Sequence, residues 1–237
     1  MNRIYKVVSL ALSYPSAELK AAVPELIAVV NGEKKLGNRA RTLLSALLED
    51  LGNRDLYDAQ ERYVSLFDRS RTLSLHLFEH VHGESRDRGQ AMVDLMATYE
   101  EGGFEIGARE LPDYLPLFLE YLSRRPEKEA AELLGQTAHI LAALKERLRK
   151  RKSIYKNAFA VLESLALGKP DRTLLKELLD QPEDDPNDLD ALDKIWEEEA
   201  VTFGGNAGEN ACGPDRLQRQ LRAHSRKPVD PAQQQTH

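Results

Sequence analysis

Apolar residues recur at helical spacing along almost the whole chain, and two-residue alternation is nearly absent. Ile4, Val7, Val8, Ala11 and Leu12 form one such stripe. Leu43, Leu44, Leu47, Leu48 and Leu51 form a second, and Leu133, Leu134, Ile140, Leu141, Leu144 and Leu148 a third. A stripe of this period buries one helix face and cannot serve a half-buried strand. Punctuation agrees, with Gly52, Gly83, Gly102-Gly103 and Gly168-Lys169-Pro170 each closing an apolar run. The expected fold class is all-α: a single-domain helical bundle.

Ser16, Asp55 or Asp58, and Asp171 are the expected helix N-caps. Pro24 and Pro116 are each expected to break a helix or to sit in a first turn, so a new helix should start near Asp113. Two long helices are expected between Pro126 and Leu167, with the basic cluster Lys145–Lys156 between them. The acidic run from Pro182 to Glu199 follows, and both charge blocks read first as solvated faces. After Phe203 almost nothing large and apolar remains, so the ordering entropy has nothing to offset it. The expectation is a helical domain over 1–203 and a mobile or disordered tail over 204–237.

Composition narrows the function. The 237 residues are 41% hydrophobic with a net charge of −6, which suits a sizeable core and no phosphate-tracking surface. Cys212 is the only cysteine, so no internal disulfide or thiolate metal site is available. The N-terminal apolar run is interrupted by Tyr5, Lys6 and Ser9, unlike a secretory signal, and no segment has the roughly 20 apolar residues of a membrane span. The expected location is the cytoplasm.

Chemistry concentrates between Ser74 and Met92, where His76, His80 and His82 stand among Glu79, Glu84, Asp87, Arg86 and Arg88. In a helix His76 and His80 would share a face, which opens a reading as a histidine-centred metal-binding regulator or enzyme. No third ligand and no HExxH accompany them, and no nucleophile with an adjacent base emerges, so catalysis and a metal site are not expected. Tyr63, Leu66 and Phe67 fall at i, i+3 and i+4. They suit ordinary core packing or, with Phe78 and flanking acids, a groove for an amphipathic peptide helix.

The segments YVSLFDRSRTLSLHLFEHVHGESRDRGQAMVDL (63–95) and RELPDYLPLFLEYLS (109–123), with LSYP (12–15) and IWEEEAVTF (195–203), resemble the NarJ family of nitrate reductase molybdenum cofactor assembly chaperones, also called delta subunits. The wider TorD/DmsD group of molybdoenzyme chaperones shares two signatures with it. Tyr63, Leu66 and Phe67 fit aromatic-x-x-Leu-Phe; Glu110, Pro112 and Asp113 fit Glu-x-Pro-Asp-His, with Tyr114 in place of histidine. The resemblance implies a non-enzymatic, monomeric or weakly dimeric chaperone. It would bind the N-terminal segment of the apo nitrate reductase alpha subunit until the molybdenum cofactor and iron–sulfur cluster are inserted, before membrane attachment, while holding no cofactor stably itself. The peptide-binding residues it implies are Tyr63, Leu66, Phe67, Phe78, Glu79, His80, His82, Glu84, Asp87, Glu110, Pro112, Asp113 and Tyr114.

Overall fold

The computed structural model describes residues 2–82, 86–107 and 110–182, the side chains of His82, Arg86 and Asp87 excepted. The chain divides into two units, Met1–Asn187 and Asp188–His237, and every described residue belongs to the first. The expectations for Glu84, for the tail and for the boundary near 203 lie outside the described residues.

The fold is all-α. Eleven helices are described: α1 (Asn2–Ala11), α2 (Ala17–Gly32), α3 (Asn38–Asn53), α4 (Leu56–Tyr63), α5 (Glu79–His82), α6 (Arg86–Glu101), α7 (Leu115–Ser123), α8 (Glu127–Gln136), α9 (Ala138–Lys150), α10 (Lys156–Leu165) and α11 (Arg172–Asp180). Strands are absent from the described residues, which contain one isolated antiparallel bridge, His76 with Tyr114. No described helix is long and apolar enough to cross a membrane.

The stripes read from the sequence lie inside. Ile4, Val7, Val8 and Ala11 are buried on α1, which packs against α7 and also touches α2, α3 and α10. The Ser9 hydroxyl donates to the Pro116 carbonyl at 2.7 Å, a buried polar tie between α1 and α7. Leu44, Leu47, Leu48 and Leu51 of α3 meet α2 and α10, and α9 lies against α10 and α11. Four leucines of this kind, at roughly 1.5–3 kcal/mol each when buried, outweigh any single polar tie in the bundle.

Ser16, Asp55 and Asp171 all cap as expected; the Asp171 carboxylate accepts from the Thr173 and Leu174 amides at 2.8 and 3.0 Å. Gly103, at φ +69°, closes α6 with a Phe104 amide donating back to the Tyr99 carbonyl at 2.9 Å, a left-handed cap that glycine adopts without steric cost.

Two expectations need correction. Pro24 lies inside α2, which continues for eight residues beyond it to Gly32. Leu19, Val23, Leu26 and Val30 are buried on this helix on either side of the proline, so packing offsets one missing backbone donor. The stretch 126–167 holds three helices, not two. Thr137, at ψ 5°, separates α8 from α9, and its hydroxyl donates to the Leu134 carbonyl at 2.9 Å.

Candidate functional site

The two signature segments meet. α4 ends at Tyr63 and passes into a π-helical turn, Val64–Asp68, closed by the Arg69 amide donating to the Val64 carbonyl at 3.0 Å. Such wide turns carry an extra residue and recur at functional positions. Here the turn brings the Phe67 ring edge-on to Tyr63 at 5.0 Å and to Tyr155 at 5.1 Å. Tyr63 is buried, and its hydroxyl bonds the Leu12 carbonyl at 3.0 Å and the Tyr114 hydroxyl at 2.9 Å. The aromatic-x-x-Leu-Phe and Glu-x-Pro-Asp signatures thus touch through two phenols. Burial raises the pKa of both, so both stay protonated and able to donate near neutral pH.

Residues 74–78 are not the helix that the spacing of the histidines suggests. Leu75 and Leu77 are buried, and the backbone forms a bridge at His76 that passes into a turn: the Leu77 amide donates to the Asp113 carbonyl at 3.0 Å, and the Leu115 amide to the Leu75 carbonyl at 2.8 Å. Helix is next described over α5. His76 and His80 therefore share no helix face.

Asp113 locks this pairing. Its carboxylate, 0% exposed, accepts from the Phe78 amide at 3.1 Å and faces His76 Nδ1 at 3.1 Å, with the Arg88 guanidinium at 3.8 Å. That carboxylate holds the His76 pKa above its ordinary value, although partial burial opposes the shift. Arg88 also reaches Glu79 at 3.2 Å, so part of the charged string 84–88 braces the junction of α5 and α6. His80 is buried, with Nε2 2.8 Å from the Ser74 carbonyl oxygen, and burial lowers its pKa.

Of the residues anticipated for peptide contact, Tyr63, Leu66, Phe67, His80, Pro112 and Asp113 are buried in this hub. Phe78 and Glu79 are half-buried, as is Tyr114, and Glu110 is exposed. His82 and Asp87 lie on α5 and α6. The accessible feature at the hub is a cleft of about 180 Å³ lined by Tyr14, Tyr63, Phe67, Asp68, Leu75, His76 and Tyr114. It is room for one or two side chains, apolar on its walls, with a carboxylate whose pKa burial raises at Asp68. Tyr14, Asp68, Leu75 and His76 are additions to the expected set. Two carried a signal, since Tyr14 belongs to the LSYP segment and Asp68 directly follows the first signature.

Arg147 supports the hub from behind. Buried on α9, it donates to the Thr72 carbonyl at 2.7 Å and to the Leu178 carbonyl, and so ties the 3-10 turn Arg71–Leu73 to α11. A second, open cleft of about 920 Å³ lies between the end of α6 and α7. Met96, Phe104, Ile106 and Leu117 line it together with Glu100, Glu105 and Glu120. Among the described residues no group of three His, Cys, Asp or Glu side chains is arranged to hold a metal ion.

The described residues form an all-helical bundle whose two signature segments close on one buried aromatic and carboxylate hub. The solved structure of a putative redox enzyme maturation protein from Archaeoglobus fulgidus shares the fold, with a TM-score of 0.52 at 22% identity over 69% of this chain and 92% of that one. The chain belongs to the nitrate reductase delta subunit family, whose model matches residues 33–160. It is 45% identical to the nitrate reductase molybdenum cofactor assembly chaperone NarJ of Escherichia coli K12, over 93% of this chain and 90% of that protein. It is also 42% identical to the probable chaperone NarW of the same organism, over 85% and 84%. A probable NarJ of Bacillus subtilis is 32% identical over 67% and 85%. These named relatives are assembly chaperones, not enzymes.

Proposed function

We propose that the protein is a system-specific cytoplasmic chaperone for respiratory nitrate reductase. It binds the N-terminal segment of the apo alpha subunit and holds that subunit for insertion of the molybdenum cofactor and iron–sulfur cluster before membrane attachment. The observation that carries this reading is the joining of the two signatures through Tyr63 and Tyr114, which leaves one small aromatic cleft with an acid at its edge.

An amphipathic, basic peptide helix suits such a surface. One large apolar side chain fills the cleft against Tyr14, Phe67 and Tyr114, and a flanking cation meets Asp68 or the exposed Glu110. Burying one or two such side chains yields roughly 2–6 kcal/mol gross. Association costs consume much of that, so binding is reversible and release needs no separate energy source. Asp113 and the half-buried Glu79 contribute differently: they are committed to His76, the Phe78 amide and Arg88, and shape the site without touching client. Tyr114 keeps a ring and a hydrogen-bonding tip where the family signature has histidine, so client contact here does not depend on an imidazole at that position.

Titration of the full-length protein with a synthetic alpha-subunit N-terminal peptide tests the reading. Tyr114→Ala and Asp68→Lys are expected to weaken binding while the helical circular dichroism is retained. Unchanged affinity in both variants would move the client to another surface.

A further inference from the structure

A third large cleft lies between the start of α3, the end of α9 and α10, and shares no lining residue with the aromatic hub or with the α6–α7 cleft. Its volume is about 820 Å³, within the range of roughly 300–1,000 Å³ typical of small-molecule sites. Leu36, Leu43, Ala160 and Leu165 supply apolar walls; Lys35, Arg39, Lys145, Arg149 and Lys156 surround them. Five cations around one cleft are unexpected in a chain of net charge −6.

Local carboxylates account for only some of that charge. Lys35 pairs with Glu127 at 2.7 Å, Lys145 with Glu163, and Arg149 with Glu146 at 2.6 Å. Arg39 and Lys156 have no ion-pair partner among the described residues. Both sit in first helical turns, of α3 and α10, where neither helix carries an acid and neither has a side-chain cap. A cation in a first turn opposes the helix dipole, so the arrangement is unfavourable until an anion is present. The three existing pairs involve partly exposed groups and are individually weak, so an entering anion can exchange with them.

Apolar walls with uncompensated cations match a ligand having an organic body and a strongly acidic head. We propose that this cleft is a binding site for a small organic phosphate, with its apolar or aromatic body against Leu36, Leu43 and Leu165 and its dianion met by Arg39 and Lys156. The charge is wrong for the basic client peptide, so this site is separate from the chaperone surface and does not depend on that assignment. The planar guanidinium fork of Arg and the compact ammonium of Lys are the usual phosphate partners.

Phenyl phosphate is the probe, with inorganic phosphate and phenol as single-feature controls, titrated into the isotopically labelled full-length protein and followed by amide chemical shifts. Phenyl phosphate is expected to give saturable shifts confined to residues 35–43, 145–149 and 156–165, and to bind more tightly than either control. The pair Arg39→Glu and Lys156→Glu is expected to weaken it at least tenfold with unchanged circular dichroism. The milder pair Arg39→Gln and Lys156→Gln gives an intermediate loss and decides the matter if charge reversal impairs folding. Shifts elsewhere, equal affinity in the variants, or no saturation by about 10 mM would overturn the proposal. So would a hexaglutamate peptide binding where phenyl phosphate does not, or inorganic phosphate alone binding equally well.

Discussion

Replacing Asp113 isolates the interaction on which the hub depends. The carboxylate is fully buried and serves two groups, the Phe78 amide and His76 Nδ1, each at 3.1 Å. Alanine removes the carboxylate that the Phe78 amide donates to and the partner of a raised-pKa histidine. Breaking a buried charged pair typically costs about 3–5 kcal/mol, and the expected loss lies in that range. Asparagine can still accept from the Phe78 amide, so it forfeits chiefly charge assistance, on the order of 1–2 kcal/mol. The pH dependence distinguishes the cause. Because the folded pKa of His76 is raised, the stability it contributes is fully present below its unfolded pKa of about 6.5. That contribution is lost as pH rises through the folded value. His80 shifts the opposite way, chiefly through burial, and the Asp113 charge is the smallest influence on it, so the difference reports mainly His76. Urea unfolding of wild type and Asp113→Asn should therefore show a larger stability gap near pH 6 than near pH 8.5. A pH-independent gap, or an alanine variant within about 1 kcal/mol of wild type, would refute the assignment.

Other substitutions test other links. Gly135→Ala places a Cβ 2.1 Å from the Leu167 carbonyl oxygen, where the Leu167 amide also bonds the Ala131 carbonyl, so the backbone must shift. A loss of about 1–3 kcal/mol is expected by thermal unfolding. Tyr63→Phe removes bonds to Leu12 and Tyr114 and should cost about 1–2 kcal/mol in chemical denaturation. Arg147→Met deletes the donors to Thr72 and Leu178 and is expected to cost about 3 kcal/mol and to loosen residues 71–78, as read by amide hydrogen exchange. Glu110 is exposed, so Glu110→Lys should slow peptide association without altering stability, as measured by stopped-flow fluorescence.

Helical periodicity and cap chemistry were legible from local sequence because both are local phenomena. Ser16, Asp55 and Asp171 bond amides two or three residues away. What stayed hidden depends on partners far along the chain. Leu75-His76-Leu77 alternates over only three residues, too short to distinguish from a helix until Asp113 and Leu115 pair with it. The buried state of Asp113 is equally invisible, because a carboxylate beside Tyr114 reads as a lip of a groove unless His76 and the Phe78 amide are known to face it. Pro24 misleads for the same reason: packing on both sides of it overrides the local rule. The two signatures meet through Tyr63 and Tyr114; Leu66 is interior packing, and Phe67 backs a small opening edged by Tyr14 and Asp68.

The most direct measurement is calorimetric titration of the full-length protein with the alpha-subunit N-terminal peptide, carried out in parallel on Asp68→Lys and Tyr114→Ala. The account predicts saturable one-to-one binding to the wild type and a clear weakening in both variants. Absence of binding to the wild type, or identical affinities across the three proteins, would contradict it.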